Sequence, residues 1–395
     1  MERSELELLL KPQTLGLING AMELASTQDA IAQVSKLRAQ GHSPELVATI
    51  LNQVKLRRRA QAKFAEFSND LLFSEAGLEQ ATRLPVAALH AQRFRAAGIT
   101  QVADLGCGIG ADALAMASLG LEVAAFDASE IAATLATFNL AVFPNARVEI
   151  ADVEHLALDE FESLWFDPAR RELTGPKKIR HQRLEPKDFS PSLDFVFYWA
   201  TKKPTGVKLG PGVDHELIPD DAEAQWVSHE GDLVELTLWF GKLRRSAARS
   251  ALLIQGGKQF IFDGEILPAE VGELKRYVYE PDASLIRSHL LGDFANQNQL
   301  TLLSPDIAYL SSETLFESPW LKSYEVIDVL PLDQKQIRKY LAEHEIGIVE
   351  IKKRGVDIVP EELRRSLKLK GTGAATLILT KLGDARKTLV VKPIR

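Results

Sequence analysis

Apolar positions recur at helical intervals through the first ninety-odd residues of the chain. Pro12 to Gln40 reads as one such stretch, and Gly41-His42-Ser43-Pro44 breaks it. Ser43 has the character of an N-cap with Pro44 at the first helical position. A helix is therefore predicted through Val47, Ile50, Leu51 and Val54 toward Arg57-Arg58-Arg59. A further helical segment covers Gly77 to Ala97 and stops at Gly98.

From Gln101 short apolar runs alternate with helical periods. Strands are predicted at Val102–Leu105, Glu122–Phe126, Arg147–Ile150 and Ser163–Phe166, with one helix ending at Leu119 and another over Ile131–Leu140. Asp194–Trp199 is expected as the fifth strand, and Leu233–Phe240 and Ala251–Ile254 complete the set. This rhythm predicts an α/β fold, an open Rossmann-like sheet with helices on both faces. Beyond Gly256 the pattern loses regularity, with turn dipeptides at Pro281, Gly292 and Ser304. A last block reads as strand Glu325–Val329, helix Leu332–Glu343, strand Ile346–Lys352, helix Pro360–Leu367, and strands near Ala375–Thr380 and Thr388–Val391. The expected organisation is an N-terminal helical region over 1–97, an α/β domain over 98–258, an irregular α+β connection over 259–322 and a small α+β module over 323–395.

Composition adds exclusions. The 395 residues can hold two or three domains, and 46% apolar with 26% charged is an ordinary soluble mixture. The single cysteine, Cys107, rules out an internal disulfide and a cysteine-cluster metal site. His181, His215 and His229 are isolated, so no metal is expected. Met1 to Lys11 carries three acidic residues and does not read as a signal peptide. No apolar run reaches roughly 18–20 residues, so a cytoplasmic protein without a membrane span is expected. The net charge of -7 hides an asymmetry: Asp333 to Arg395 holds 15 Lys and Arg against 8 Asp and Glu. A basic end on an acidic chain points to an anionic partner; a solvated charged face is the alternative.

The most informative run is Val102-Ala103-Asp104-Leu105-Gly106-Cys107-Gly108-Ile109-Gly110. Glycines at this turn permit backbone angles and a close ligand approach that side chains forbid. The spacing G-x-G-x-G departs from the dinucleotide pattern. Asp104 would repel a pyrophosphate, but it can accept from an ammonium, directly or through water. Asp127 ends the second strand, where a carboxylate accepts from ribose hydroxyls. Asp152, after the third strand, can accept from an adenine amino group. Ala128 and Val153, next to those acids, join the candidate cofactor set. In order and spacing these features resemble motifs I to III of class I S-adenosylmethionine-dependent methyltransferases, which implies S-adenosylmethionine as cofactor.

At the end of the fourth strand stands Asp167-Pro168-Ala169-Arg170-Arg171. It resembles motif IV of methyltransferases acting on amino nitrogens, Asp/Asn-Pro-Pro-aromatic. There the acid and the proline carbonyl accept from an amino group and aim its lone pair, so orientation supplies much of the acceleration. Asp167, Pro168 and Arg170 are the candidate catalytic residues. Ala169 and Arg170 depart from that motif and resemble instead that of RNA 5-methyluridine methyltransferases. Those enzymes need a nucleophilic cysteine, and Cys107 lies inside the cofactor turn, badly placed for it. Arg170 and Arg171 either clamp a phosphate or face solvent. Lys177, Lys178, Arg180, Arg183 and Lys187 extend a positive rim suited to a phosphodiester, and Lys208 is placed to reach the same cleft.

From about Phe64 onward the chain resembles a bacterial family of class I methyltransferases with a C-terminal THUMP-like domain. The resemblance is carried by Gly77–Arg83, Asp104–Asp112, Asp167–Arg171, Trp226-Val227-Ser228, Tyr279–Ala283 and the block around Gly371–Gly373. The catalytic domain is distantly similar to RNA cap guanine 2-amino methyltransferases, in which the segment before motif I helps enclose the cofactor; this implies a cofactor-binding role for Thr82 and a site role for Arg83. THUMP domains bind RNA on tRNA-modifying enzymes, so the resemblance implies RNA as partner. Lys352, Lys353, Arg354, Arg364 and Arg365, with Lys368 and Lys370, are the candidate phosphate contacts. Few aromatic residues are interleaved, so recognition by shape and backbone is expected. The leading reading is methylation of a base nitrogen in structured RNA, tRNA or rRNA. The alternatives are a small-molecule methyltransferase with a dimerising tail, and a non-catalytic RNA-binding protein retaining a cofactor pocket.

Overall fold

The computed structural model describes residues 1–24, 30–170 and 185–394. The chain divides into two units. One holds Met1–Leu209, Asp214–Leu217 and Leu238–Arg244; the other holds Gly210–Val213, Ile218–Thr237 and Arg245–Arg395. The helical N-terminus thus belongs to the same unit as the first strands of the sheet.

In the first unit, α1 (Arg3–Leu9), α2 (Pro12–Leu24), α3 (Ala30–Ala39) and α4 (Pro44–Phe64) come first. The Ser43 hydroxyl accepts from the Leu46 amide at 3.3 Å and starts α4, with Pro44 in its first turn. Ile50, Leu56, Ala60 and Phe64 on α4 are buried in the core. Gln53 and Arg57, also buried on α4, hold the extended strip at Leu71–Phe73. The Gln53 amide donates to the Phe73 carbonyl at 2.6 Å and accepts from its amide at 3.2 Å. Arg57 Nε donates to the Leu71 carbonyl at 2.9 Å. These bonds satisfy backbone groups that burial would otherwise strand.

The helix expected over Gly77 to Ala97 is two helices, α5 (Glu75–Gln80) and α6 (Leu84–Ala96). Pro85 explains the break: its ring would collide with the Ala81 carbonyl in a continuous helix, and proline fits only in a first turn. Then come β1 (Gln101–Leu105), α7 (Ala111–Ser118), β2 (Glu122–Asp127), α8 (Glu130–Leu140), β3 (Ala146–Ile150) and β4 (Ser163–Phe166). A short pair, β5 (Ala169–Arg170) and β6 (Phe189–Ser190), precedes α9 (Leu193–Ala200) and β7 (Thr205–Leu209).

Here one expectation is corrected: Asp194–Trp199 lies in a helix, and the fifth strand is β7. The aromatic run reads as a strand by composition, but the buried residues Leu193, Val196, Trp199 and Ala200 recur at helical spacing. The strand order β3-β2-β1-β4-β7 is parallel throughout. Gly206 on β7 leaves room for two indoles, because a Cβ there would lie 2.6 Å from Trp165 and 2.8 Å from Trp239.

In the second unit β8 (Glu223–His229) is followed by β9 (Asp232–Trp239), whose last two residues belong to the first unit. Next come β10 (Arg249–Gln255) and β11 (Lys258–Gly264); β10 runs parallel to β8 and antiparallel to β11. The stretch that looked irregular holds β12 (Tyr277–Pro281), α10 (Ala283–Arg287), α11 (Leu291–Gln297), β13 (Thr301–Ser304) and β14 (Ile307–Ser312). The last block is β15 (Leu321–Pro331), α12 (Gln334–Glu343), β16 (Ile346–Lys353), α13 (Pro360–Leu367), β17 (Gly373–Leu382) and β18 (Ala385–Pro393). Its strands join one sheet in the order β13-β14-β12-β15-β18-β17-β16. Ile337 and Leu341 of α12 and Leu363 and Leu367 of α13 pack with Val349, Ile351, Leu377, Leu379 and Val390.

Candidate active site

The Gly-rich turn follows β1. Gly106, Gly108 and Gly110 have φ of 100°, 56° and 84°, a region costly to other residues. Gly106 also admits a close approach: a Cβ there would stand 3.1 Å from the Asp167 carbonyl oxygen. The amides of Gly106 and Cys107 both donate to the Phe126 carbonyl at 2.9 Å. The turn is thereby pinned between the ends of β2 and β4.

Asp104 is fully buried at the end of β1, and neither of its carboxylate oxygens has a hydrogen-bond partner. Burial, with the nearby charges of Asp112, Asp167 and Asp127, pushes its pKa well above the usual carboxylate range, and Lys208 opposes them. An acid left in this state is a socket for a cation. Asp127 accepts from the Gly108 amide at 2.9 Å and from the Ser129 amide at 2.8 Å. Its burial raises the pKa against the effect of those two amides. Ala128 beside it is exposed. Asp152 is exposed, caps the turn at Val153–His155 by accepting from the Glu154 amide at 3.1 Å, and lies 3.3 Å from His155; Val153 is buried. The Cys107 thiol is buried, and desolvation together with Asp104 and Asp127 pushes its pKa well up, the opposite of what a nucleophile needs.

Asp167 is half-buried at the end of β4, Pro168 is buried, and Arg170 is exposed on β5. Lys208 does not face open solvent: its ammonium lies 2.5 Å from Asp167 Oδ2 and donates to Thr82 Oγ1 at 2.9 Å. Thr82 in turn donates to Asp112 Oδ2 at 2.7 Å. His90 Nδ1 lies 2.7 Å from Asp112 Oδ1, and its ring rests against Trp165 with centroids 4.4 Å apart. Sequence reasoning missed His90 and Asp112. The only available signal was an acid just after the glycine turn, in the first turn of α7. Lys63, also missed, donates to the carbonyls of Leu78, Glu79 and Ala81 at the end of α5. Burial, with Arg83 and Lys208 nearby, lowers its pKa to about 8. Arg171, Lys177, Lys178 and Arg180 lie outside the described residues. Among the described residues no group of three or more His, Cys, Asp and Glu is arranged to hold a metal ion, and no helix is long and apolar enough to cross a membrane.

Known proteins resemble this chain along most of its length. An uncharacterised S-adenosylmethionine-dependent methyltransferase of Mycobacterium tuberculosis, found in two strains, is 31% identical over 358 residues, 88% of this chain and 95% of that protein. The chain belongs to the S-adenosylmethionine-dependent methyltransferases. A Porphyromonas gingivalis protein described as a methyltransferase shares the fold, with a TM-score of 0.74, 21% identity and coverage of 97% of this chain and 98% of that one. The THUMP domain-like family matches residues 321–393, and a domain of unknown function matches residues 2–60.

The methyltransferase therefore carries a THUMP-like domain at its C-terminus, and its bases divide into two kinds. Lys352 is occupied within its own unit: it lies 2.7 Å from Glu280. Burial acts to lower its pKa, but Glu280 and Tyr324 outweigh that and hold it above its usual value. Arg354 donates to the Ala308 carbonyl at 2.9 Å and stacks over Tyr309. Both are half-buried and held by partners within the unit. Lys353, Arg364 and Arg365 are exposed, as are Lys368 and Lys370.

Proposed function

We propose that this methyltransferase modifies a base amino nitrogen of structured RNA. Asp104, Gly106, Cys107, Gly108, Gly110, Asp127, Ala128, Asp152 and Val153 would hold S-adenosylmethionine. Its amino-acid moiety carries an ammonium, and the unpartnered buried Asp104 is a carboxylate that fits one. When bound, the cofactor supplies an electrophilic methyl on a sulfonium whose departure needs no metal.

The observation that carries the acceptor reading is the contact between the turn and the Asp-Pro motif, where Gly106 admits the Asp167 carbonyl. An amino group accepted by the Asp167 carboxylate and the Pro168 carbonyl would sit beside the cofactor turn with its lone pair directed. Placement of this kind removes much of an in-line displacement barrier. The RNA reading is supported by the THUMP-like domain and by exposed Lys353, Arg364 and Arg365, suited to sequence-independent phosphate contacts. The 98–258 segment would carry the chemistry and the 323–395 segment the RNA.

Modified-nucleoside profiling of total RNA from a strain lacking the gene tests this. One methylated nucleoside should vanish and return with the wild-type gene but not with an Asp167→Ala gene. Unchanged profiles, or restoration by Asp167→Ala, reject the reading.

A further inference from the structure

Six side chains in the first unit form a chain of contacts that begins on β4 and ends one residue past it. Trp165 on that strand supports the His90 ring; His90 bonds Asp112, Asp112 bonds Thr82, Thr82 bonds Lys208, and Lys208 reaches Asp167, two residues beyond Trp165. The register of β4 and β7 pairs Phe166 with Val207, which sets Lys208 across from Asp167. The inner part of this chain of contacts is dry, with His90 3% exposed, Asp112 6% and Thr82 7%, whereas the Lys208 and Asp167 side chains are 13% and 32% exposed. A lysine carries four rotatable bonds, and holding it still in a polar pocket needs several fixed acceptors. Here Asp167 Oδ2 and Thr82 Oγ1 supply two of them, and Thr82 is itself fixed by Asp112.

We propose that Lys208 is a positioning residue that fixes the direction of the Asp167 carboxylate, and that the Thr82–Asp112–His90 chain fixes Lys208. This rests on Asp167 being the residue that receives the acceptor amino group. Lys208 is thereby assigned to the acceptor acid rather than to a phosphate of the substrate. The segment before the glycine turn acquires a role as well, because Thr82 carries the order of α7 across to β7.

The test uses the full chain and four variants: Lys208→Met, Lys208→Arg, Asp167→Asn and the double variant Lys208→Met with Asp167→Asn. The acceptor probe is total RNA from the strain lacking the gene, and methyl incorporation is followed at saturating S-adenosylmethionine. Cofactor affinity is measured separately by calorimetry. Misaiming an acceptor group by about 1 Å can slow transfer on the order of 100-fold, so Lys208→Met should lose kcat by that factor. Its cofactor Kd should stay within about threefold of wild type, and Lys208→Arg should recover part of the rate. Equal loss of kcat and cofactor affinity in Lys208→Met, or full kcat, overturns the proposal.

If Lys208→Met does not fold, the double variant removes both charges, and Lys208→Arg still reads the rate. Full activity in Lys208→Arg with a displaced Asp167 would then reject the role. If wild-type protein methylates no RNA, the RNA reading fails on its own. Positioning is then judged from crystal structures of wild type and Lys208→Met with S-adenosylhomocysteine. A carboxylate that keeps its direction without Lys208 overturns the proposal, and one that swings away supports it.

Discussion

His90 Nδ1 and Asp112 Oδ1 meet at 2.7 Å in a pocket where both residues are buried. Burial alone would raise the Asp112 pKa. The His90 hydrogen bond and charge, with Lys208 and Thr82, overcome it and hold the carboxyl below its usual range. Removing the carboxylate strands the buried His90 and Thr82 groups that bond to it, so Asp112→Ala should lose about 1–3 kcal/mol of stability, measured by urea denaturation. Its folded pKa lies below the unfolded one. The contribution is therefore complete above about pH 4 and disappears as pH falls through the folded value. Wild type should lose the advantage over Asp112→Ala in that acid range.

Asp104 shows the opposite sign. Its folded pKa is raised by burial, so its stability contribution is present below about pH 4 and is lost as pH rises through the folded value. Asp104→Asn should make the ligand-free protein less sensitive to that rise. The same change should weaken S-adenosylmethionine binding roughly 10- to 100-fold, as expected for a hydrogen bond to a charged group. Calorimetry beside pH-dependent unfolding checks both halves; an unchanged Kd would remove Asp104 from the cofactor site.

Gly106→Ala and Gly108→Ala separate strain from crowding. Both positions have positive φ, and each alanine should cost roughly 1–2 kcal/mol on that ground. Only Gly106 faces a neighbour, the Asp167 carbonyl at 3.1 Å, whereas a Cβ at Gly108 meets nothing within 4 Å. Gly106→Ala should therefore lose methyl transfer more severely than Gly108→Ala at equal protein stability. Equal losses would mean that the contact with Asp167 does not matter.

The two kinds of basic residue in the THUMP-like block should respond differently. Arg364→Glu with Arg365→Glu should leave the melting temperature nearly unchanged, weaken RNA binding across sequences and lower the salt slope by about 2. Lys352→Met should instead destabilise the protein by about 1–3 kcal/mol, because it strands half-buried Glu280. Filter binding at several salt concentrations, set beside thermal melts, distinguishes the two.

What could be read in the sequence follows from how local the causes are. The glycine turn and the acids at the ends of β1 and β2 are legible because positive φ demands glycine and because short strands fix the spacing. The Ser43 cap and Pro44 are legible for the same reason. The chain of contacts through Lys208 is not, since Lys208 and Thr82 are 126 residues apart and meet only because β7 lies beside β4. The helix at Leu193–Ala200 was misread because its aromatic content favours a strand, while the register of its buried face decides otherwise. Lys352 and Arg354 looked like surface charges because nothing near them in sequence announces Glu280 or the Ala308 carbonyl.

Asn139 gives the Leu71–Phe73 strip a wider meaning. From α8 its side chain accepts from the Leu72 amide at 2.8 Å, donates to the Leu72 carbonyl at 3.1 Å and donates to the Ile109 carbonyl inside the glycine turn at 2.9 Å. A single amide thus ties residues before the sheet to the glycine turn. A gene shortened to begin at Gly98 would leave that amide with one bond of three and bare the apolar side of α7 and α8. The helices before the sheet and the glycine turn are for that reason parts of one packed unit, and cutting the chain where the sheet begins would divide it.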